Sequence, residues 1–481
     1  MAMTSIHALH EIFTAQQRAY QQNPMPTASE RLIWLEKLKS ALLIYQDTIT
    51  AAIHQDYGNR SFAETKIGEL LTCIEHIKYY QKHLAAWMKP QKRHISLLHQ
   101  PATGAVAYQP YGVIGIIVPW NYPLLLAISP LVCALAAGNV AMIKLSAASY
   151  HFGQVLHKII SDTFDATQVA VITDAGNHAD DALAKAFGCL PFDKLIFTGS
   201  SVVGRKVMQQ AAANLTPVIL ELGGKSPVIV HPSMPLTDVA ERVAFGKLWN
   251  AGQTCVAPDH LYLPRGKVDE FVSLYRAQVS KMYPSLIYND DYTSIIHDRQ
   301  FDKLFGFIND AKQKGATVTV INPAEESDDA LSAMRKIAPT IITNVSDEMT
   351  VMTDEIFGPI LPIIEYDDMD AAIDRINAGN RPLALYYFDY DKRRAQLVAS
   401  RTHSGHFGVN SVLTHVAQDD LPFGGVGASG MGKYHGPEGF YSFSHARSVM
   451  TMPKIFGLRL ILPPFHEKPA LAWIEKLFLK K

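Results

Sequence analysis

The chain predicts an α/β protein made of two doubly wound parallel-sheet domains and a small β element. Three observations carry that expectation. From residue 112 onward, short β-branched runs bounded by Gly, Pro, Asn or Asp alternate with helical stretches, which is how parallel sheets are built. The pattern restarts after residue 221. And 481 residues are enough for two or three domains with a large shared core.

The elements follow in order. Helical periodicity covers 4–22, 28–56 and 61–88, with Ser29-Glu30 at the second start and Tyr57-Gly58 at its end, both ordinary helix punctuation. A basic, His-containing stretch over 89–100 leads to a short strand at 105–108. GVIGIIVPW, NVAMIKL, VAVIT, KLIFTG and PVILEL read as the strands of the first unit. SPVIV, HLYLP, PTIITNV, ILPIIEY, LALYYFDY and FGVN read as those of the second, with helices at 267–283, 299–315, 369–379 and 391–401. Residues 419–439, DDLPFGGVGASGMGKYHGPEG, read as Gly-rich loop, and the tail after 450 is apolar with Lys at its end.

Composition narrows the function. A net charge of −1 offers no basic field to nucleic acid, so the expected partner is a small molecule or a second copy of the chain. Four cysteines, at 73, 133, 189 and 255, are too few and scattered for a disulfide framework. Without CxxC or HExxH no zinc site is expected. Reduced thiols predict a cytoplasmic protein. The N-terminus lacks a basic region followed by an apolar run, so no signal peptide is expected. No uncharged apolar run reaches 18 residues, so no membrane span is expected.

In doubly wound sheets, ligands bind beyond the carboxyl ends of the strands, and here those ends carry chemistry. Cys255 follows Trp249-Asn250-Ala251-Gly252 and precedes Pro258, which places a thiol on a turn. It is either a nucleophile, needing donors or a helix dipole to lower its pKa, or a structural thiol. Cys133, in the apolar SPLVCALAAG, reads as core, and Cys73 and Cys189 as structural. Glu221 ends PVILEL between Leu220 and Leu222. A carboxylate there is costly unless paired or protonated, so it is either a general base with a raised pKa or a salt-bridged strand end. Asn121 can donate to an oxyanion or simply turn the chain before Pro123. Lys144 can meet a ribose or phosphate, or snorkel at the surface. The turn Gly199-Ser200 can present backbone N–H groups to a phosphate, or be a plain strand-to-helix turn.

Taken in order, PWNYP at 119–123, FTGS at 197–200, LELGGKSP at 220–227, GQTC at 252–255, EIFGP at 355–359 and PFGG at 422–425 resemble the aldehyde dehydrogenase superfamily. The resemblance runs from about residue 60 to 450. The VAPDH continuation of the Cys motif and PFGGVGASGMGKYHG point to its class 3 branch. GPEGF and the tail ILPPF are most similar to the bacterial coniferyl aldehyde dehydrogenases in that branch.

The resemblance implies roles. Cys255 would attack the aldehyde, with the Asn121 amide and the Cys255 N–H holding the oxyanion. Hydride would pass to NAD or NADP, and Glu221 would activate water to release the acid. Glu355 and Phe357 would hold the nicotinamide ribose and ring. Trp120, Lys144, Gly199 and Ser200 would help bind the dinucleotide, Tyr122 would wall the substrate channel, and no metal would be needed. The implied domains are a dinucleotide-binding domain over 1–88 and 109–220, a catalytic domain over 221–402, an element bridging two subunits of a homodimer over 89–108 and 403–450, and a tail from 451. The rivals are a medium- or long-chain aliphatic aldehyde dehydrogenase and a retired enzyme serving as a binding or structural protein. The tail is expected to pack on the partner subunit, with contact to a membrane surface as the alternative.

One departure from the family's pattern matters. Where the family usually has Lys-Pro-Ser-Glu, this chain has Lys144-Leu145-Ser146-Ala147. The resemblance implies that the missing carboxylate would accept from the adenosine ribose, so NADP is expected to be tolerated beside NAD.

Overall fold

A computed structural model describes residues 4–174, 181–454, 459 and 462–479. The first sheet contains β3 (Val113–Val118), β4 (Val140–Leu145), β5 (Val169–Ile172), β6 (Lys194–Gly199) and β7 (Val218–Leu222), with the two-residue β15 (Gly430–Met431) on its edge. Its order is β15-β7-β6-β3-β4-β5, and all pairs are parallel except β15 with β7. The connections run outward in both directions from β3, the doubly wound pattern. The strands are nearly continuous apolar runs because helices cover both faces. One of these helices, Pro123–Ala137, is buried along its whole length. Pro123 opens it with a preset φ, and Gly138, at φ +92, closes it in the left-handed conformation glycine tolerates.

The chain crosses to the second sheet over Gly223-Gly224. That sheet holds β8 (Pro227–Val230), β9 (His260–Pro264), β10 (Thr317–Val320), β11 (Thr340–Thr343), β12 (Ile360–Tyr366), β13 (Ala384–Phe388) and β14 (His406–Val409) in the order β10-β11-β12-β9-β8-β13-β14. A third, antiparallel sheet joins β1 (Gln91–Arg93), β2 (Thr103–Pro110) and β16 (Ser444–Thr451). The α/β class and the small β element therefore stand as the sequence predicts.

Several elements differ from the sequence reading. The expected helix over 28–56 is two, Ala28–Ile44 and Gln46–Tyr57, broken at Tyr45, where no Gly or Pro marks the break. The expected helix over 61–88 contains a π-helical turn, Lys66–Leu71, between Phe62–Thr65 and Thr72–Trp87. The segment read as loop over 419–439 contains β15 and the start of the helix Gly436–Ser442. Strands β10 and β16 are largely solvent-facing, so they carry little of the apolar pattern that reveals a strand. Among the described residues no helix is long and apolar enough to cross a membrane.

Candidate active site

After the helix Leu236–Leu248 the chain turns through three left-handed residues, Asn250 (φ 52), Ala251 (φ 49) and Gly252 (φ 73). For the two non-glycine residues this costs on the order of 1–3 kcal/mol each, and it persists only where the surroundings enforce it. Those surroundings are present. The Asn250 N–H donates to Glu64 Oε2 at 3.0 Å, and its amide donates to the carbonyls of Asn121 and Gln253, each at 3.2 Å. Gln253 donates to the Ser294 carbonyl at 3.1 Å and accepts from the Ile296 N–H at 3.0 Å. A side chain on Gly252 would place its Cβ 2.4 Å from the Gly358 carbonyl oxygen, so glycine is required by space as well as by φ. The turn delivers Cys255, half-buried, to the mouth of a cavity.

The loop after β3 is pinned to the same point. The Asn121 carbonyl accepts from Arg60 Nη1 at 2.7 Å and Tyr57 Oη at 3.1 Å, as well as from Asn250. Among the described residues the Asn121 amide itself forms no hydrogen bond, and the side chain is buried. Tyr122 Oη and Thr254 Oγ1 lie 2.6 Å apart, stitching the two loops together beside Cys255. Arg60 is fully buried and pairs with Glu69 at 3.1 Å. Glu69 in turn accepts from the N–H groups of Leu124 and Leu125 at 2.8 and 3.1 Å, satisfying the first turn of the buried helix.

Two carboxylates act on the thiol. Glu221 is buried at the end of β7, opposite Gly430, and neither oxygen has a hydrogen-bond partner. Burial raises it well above the ordinary carboxylate range, opposed by the nearby Gly425 N–H, which does not reach hydrogen-bond geometry. No salt bridge forms at this strand end. Burial also pushes Glu355 up to about 7, against the Gly224 N–H. Its carboxylate fills the place of a side chain at 223, since a Cβ there would lie 2.0 Å from Glu355 Oε2. Burial, then Glu355 and Glu221, push the Cys255 thiol up to about 12, opposed by the N–H groups of Cys255 and Val256. A site prearranged to lower the thiol pKa was the requirement set by the sequence reading. The opposite holds, because desolvation and two acids outweigh two backbone donors.

Around the site are two spaces of different character. Cys255 lines an apolar cavity of about 200 Å³ whose walls include Tyr122, Phe245, Trp249, Phe423 and Tyr434. The π-helical turn supplies Ile67 and Gly68 to it. Glu355 lines a groove of about 820 Å³, with Arg205, Lys225, Lys303 and Arg381 on its walls. Ser201 and Val202, at the start of the helix Ser201–Ala212, also face this groove. Ser200 caps that helix, accepting from the Val203 N–H at 3.4 Å, and Gly199 ends β6 just before it. A helix N-terminus beside Arg205, Lys225, Lys303, Arg375 and Arg381 fits a dinucleotide's phosphates, and the Glu355 carboxylate seated on Gly223 fits sugar hydroxyls.

The loop that carries Glu355 and Phe357 is anchored from below. Lys225 Nζ donates to Asp259 Oδ1 at 2.6 Å and to the carbonyls of Val351 and Asp354, each at 2.8 Å. Asp259 Oδ2 accepts from the Ile356 N–H at 3.1 Å. Phe357, at φ 56, packs edge-on to Trp120, with ring centroids 5.4 Å apart. Lys144 does not snorkel: it is buried, 2.5 Å from Asp174 Oδ2, and donates to the Leu145 carbonyl at 3.0 Å. Cys73 and Cys133 are buried, whereas Cys189, read as structural, is exposed.

Sequence reasoning missed Arg60, Glu64, Glu69, Asp174, Lys225 and Asp259. Lys225 and Asp259 lie inside LELGGKSP and the VAPDH continuation, and their place in those motifs was the available signal. Arg60 lies in the short loop after the helix Gln46–Tyr57, Glu64 in the helix Phe62–Thr65 and Glu69 in the π-helical turn, and no local pattern marks any of them.

Comparison with known proteins places this geometry. The model described as "Aldehyde dehydrogenase family" matches residues 3–449. A probable coniferyl aldehyde dehydrogenase of Pseudomonas aeruginosa is 47% identical over 99% of this chain and 97% of its own. The coniferyl aldehyde dehydrogenase of Pseudomonas sp. strain HR199 is 46% identical over 88% of this chain and 87% of its own. The substrate-bound structure of Staphylococcus aureus AldH superimposes with a TM-score of 0.91 at 34% identity, covering 98% of this chain and 99% of that one.

Proposed function

The chain belongs to the aldehyde dehydrogenase family, whose members are NAD(P)-dependent oxidoreductases, and on that premise we propose that its substrate is coniferyl aldehyde or a related aromatic aldehyde. The observation that carries the proposal is the apolar, aromatic-walled cavity at Cys255, which suits a flat ring conjugated to the reacting carbonyl. The identity to two coniferyl aldehyde dehydrogenases supports it.

In this reading the Cys255 thiol gives up its proton to solvent and Sγ adds to the carbonyl carbon to give a thiohemiacetal. The free Asn121 amide and the Cys255 N–H receive the developing oxyanion. Bound NAD(P)+ supplies the two-electron acceptor that makes the oxidation possible. Glu221, with no partner in the resting chain, takes a proton from the water that cleaves the acyl–sulfur bond, releasing the acid and restoring the thiol. Glu355, Phe357 and Trp120 hold the nicotinamide side, and Ser200 with the adjoining helix N-terminus holds phosphate. Tyr122 and Thr254 fix the channel wall. The antiparallel sheet of β1, β2 and β16 bridges two subunits of a homodimer, and the protein works in the cytoplasm.

Turnover of coniferyl aldehyde against decanal, on the purified protein with either cofactor, tests the substrate. A kcat/KM at least tenfold higher for coniferyl aldehyde is expected. A preference for decanal would move the assignment to aliphatic aldehydes.

A further inference from the structure

Strand β4 ends at Lys144-Leu145 and continues Ser146-Ala147-Ala148-Ser149 with no acidic side chain. In doubly wound sheets a carboxylate near this crevice takes the ribose hydroxyls of a dinucleotide and disfavours a 2′-phosphate. The neighbouring strand supplies one. Strand β5 pairs in parallel with β4 and ends at Ile172, two residues before Asp174. Asp174 and Ala147 line the same narrow cleft, together with Ser146 and Gln154.

The Asp174 carboxylate is unusual in how it is held. Its Oδ2 pairs with Lys144 at 2.5 Å, and both side chains are buried, 7% and 6% exposed. Its Oδ1 is buried without a hydrogen-bond partner. A buried acceptor without a donor carries a desolvation cost that a ligand hydroxyl can repay. Among the described residues the cleft lining includes no cation, and Lys144 is already committed to Asp174. We propose that Asp174 is the residue that selects the cofactor: Oδ1 accepts from the adenosine ribose, Lys144 fixes the carboxylate, and NAD is favoured over NADP. The carboxylate lost at 147 is thus supplied from the next strand. The inference rests on the dinucleotide reading of the preceding section.

Equilibrium titration of NAD and NADP against the full chain, read by quenching of tryptophan fluorescence without substrate, tests it. The wild type is expected to bind NAD about tenfold or more tightly than NADP, the effect of one charge-assisted hydrogen bond gained and one like-charge contact avoided. Asp174→Asn is expected to weaken NAD and bring the ratio close to one. Adding Ala147→Glu to that variant is expected to restore the preference. Asp174→Ser, read the same way, serves if the asparagine variant does not fold. Equal affinities in the wild type overturn the proposal. So does an unchanged ratio in the folded variants, which would leave the Lys144–Asp174 pair a purely structural contact. Failure of the wild type to bind either nucleotide would overturn the dinucleotide reading itself.

Discussion

The cavity lined by Cys255 and the groove lined by Glu355 serve one site but are made of opposite materials. The first is walled by aromatic and aliphatic side chains, with Tyr122, Thr254 and Tyr434 among its few polar members. The second presents Arg205, Lys225, Lys303, Arg375 and Arg381 beside Asp347, Asp354 and the half-buried Glu355. An apolar space recognises its ligand by shape and by the water it expels, and discriminates weakly between near isosteres. A charged groove recognises phosphate and hydroxyl groups by direction. The thiol lies where these two regimes meet, raised by burial and by one carboxylate from each side of the crossing at Gly223-Gly224. The lesson is separability: damage to one side should change the handling of one ligand and spare the other.

The largest expected effect removes the nucleophile and spares the charged groove. Cys255→Ser should lower kcat on the order of 10³-fold or more while leaving the affinity for NAD within about twofold of wild type. A steady-state assay paired with a binding titration checks this. Next, Asn121→Ala should lower kcat about 10²–10³-fold with little change in aldehyde KM, as expected for a donor engaged mainly in the transition state. The Asn121 carbonyl that Arg60, Tyr57 and Asn250 hold belongs to the backbone, so the variant keeps those anchors. Trp249→Ala, on the apolar side alone, should raise the KM for an aromatic aldehyde about tenfold and leave the KM for the cofactor unchanged. An equal rise in both would deny the separation.

The two sides also differed in how far they could be read from sequence. The nucleophile, the strand-end carboxylate and the loop before Pro123 each sit in a short contiguous motif whose apolar flanks and Gly or Pro neighbours are visible in one dimension. Their supports are not. Arg60 reaches Asn121 from 61 residues away, and Glu64 reaches Asn250 from 186. Arg60 lies in a short loop and Glu64 in the four-residue helix Phe62–Thr65, and neither carries a local pattern that marks a site. The left-handed Ala251 leaves no trace either, because alanine does not favour that conformation and only the tertiary frame imposes it. The seven strands of the second sheet divide in the same way. Those buried on both faces were legible as apolar runs, whereas β10, polar and on the edge, was not.

The smallest expected effect concerns stability. Glu221 is raised by burial, so its contribution is complete below the ordinary carboxylate range, where folded and unfolded states are both protonated. It is lost as pH rises toward the raised folded value, because only the unfolded chain ionises freely. Glu221→Gln removes that loss. The melting temperature of the variant should exceed that of wild type by on the order of 2 °C at pH 9 and by less at pH 5, as differential scanning fluorimetry would show. A gap that narrows with rising pH would contradict the burial of an unpartnered carboxylate.

Glu221→Gln also permits the most direct test of the site. With the base that activates water removed and Cys255 intact, the acyl–sulfur intermediate should outlive the reaction. The variant is mixed with coniferyl aldehyde and NAD, quenched in acid, digested and examined by mass spectrometry. The account predicts an acyl adduct, hydroxylamine-labile, on the peptide containing Cys255. An adduct on the exposed Cys189 instead, or no adduct from a variant that still releases acid at the wild-type rate, would contradict it.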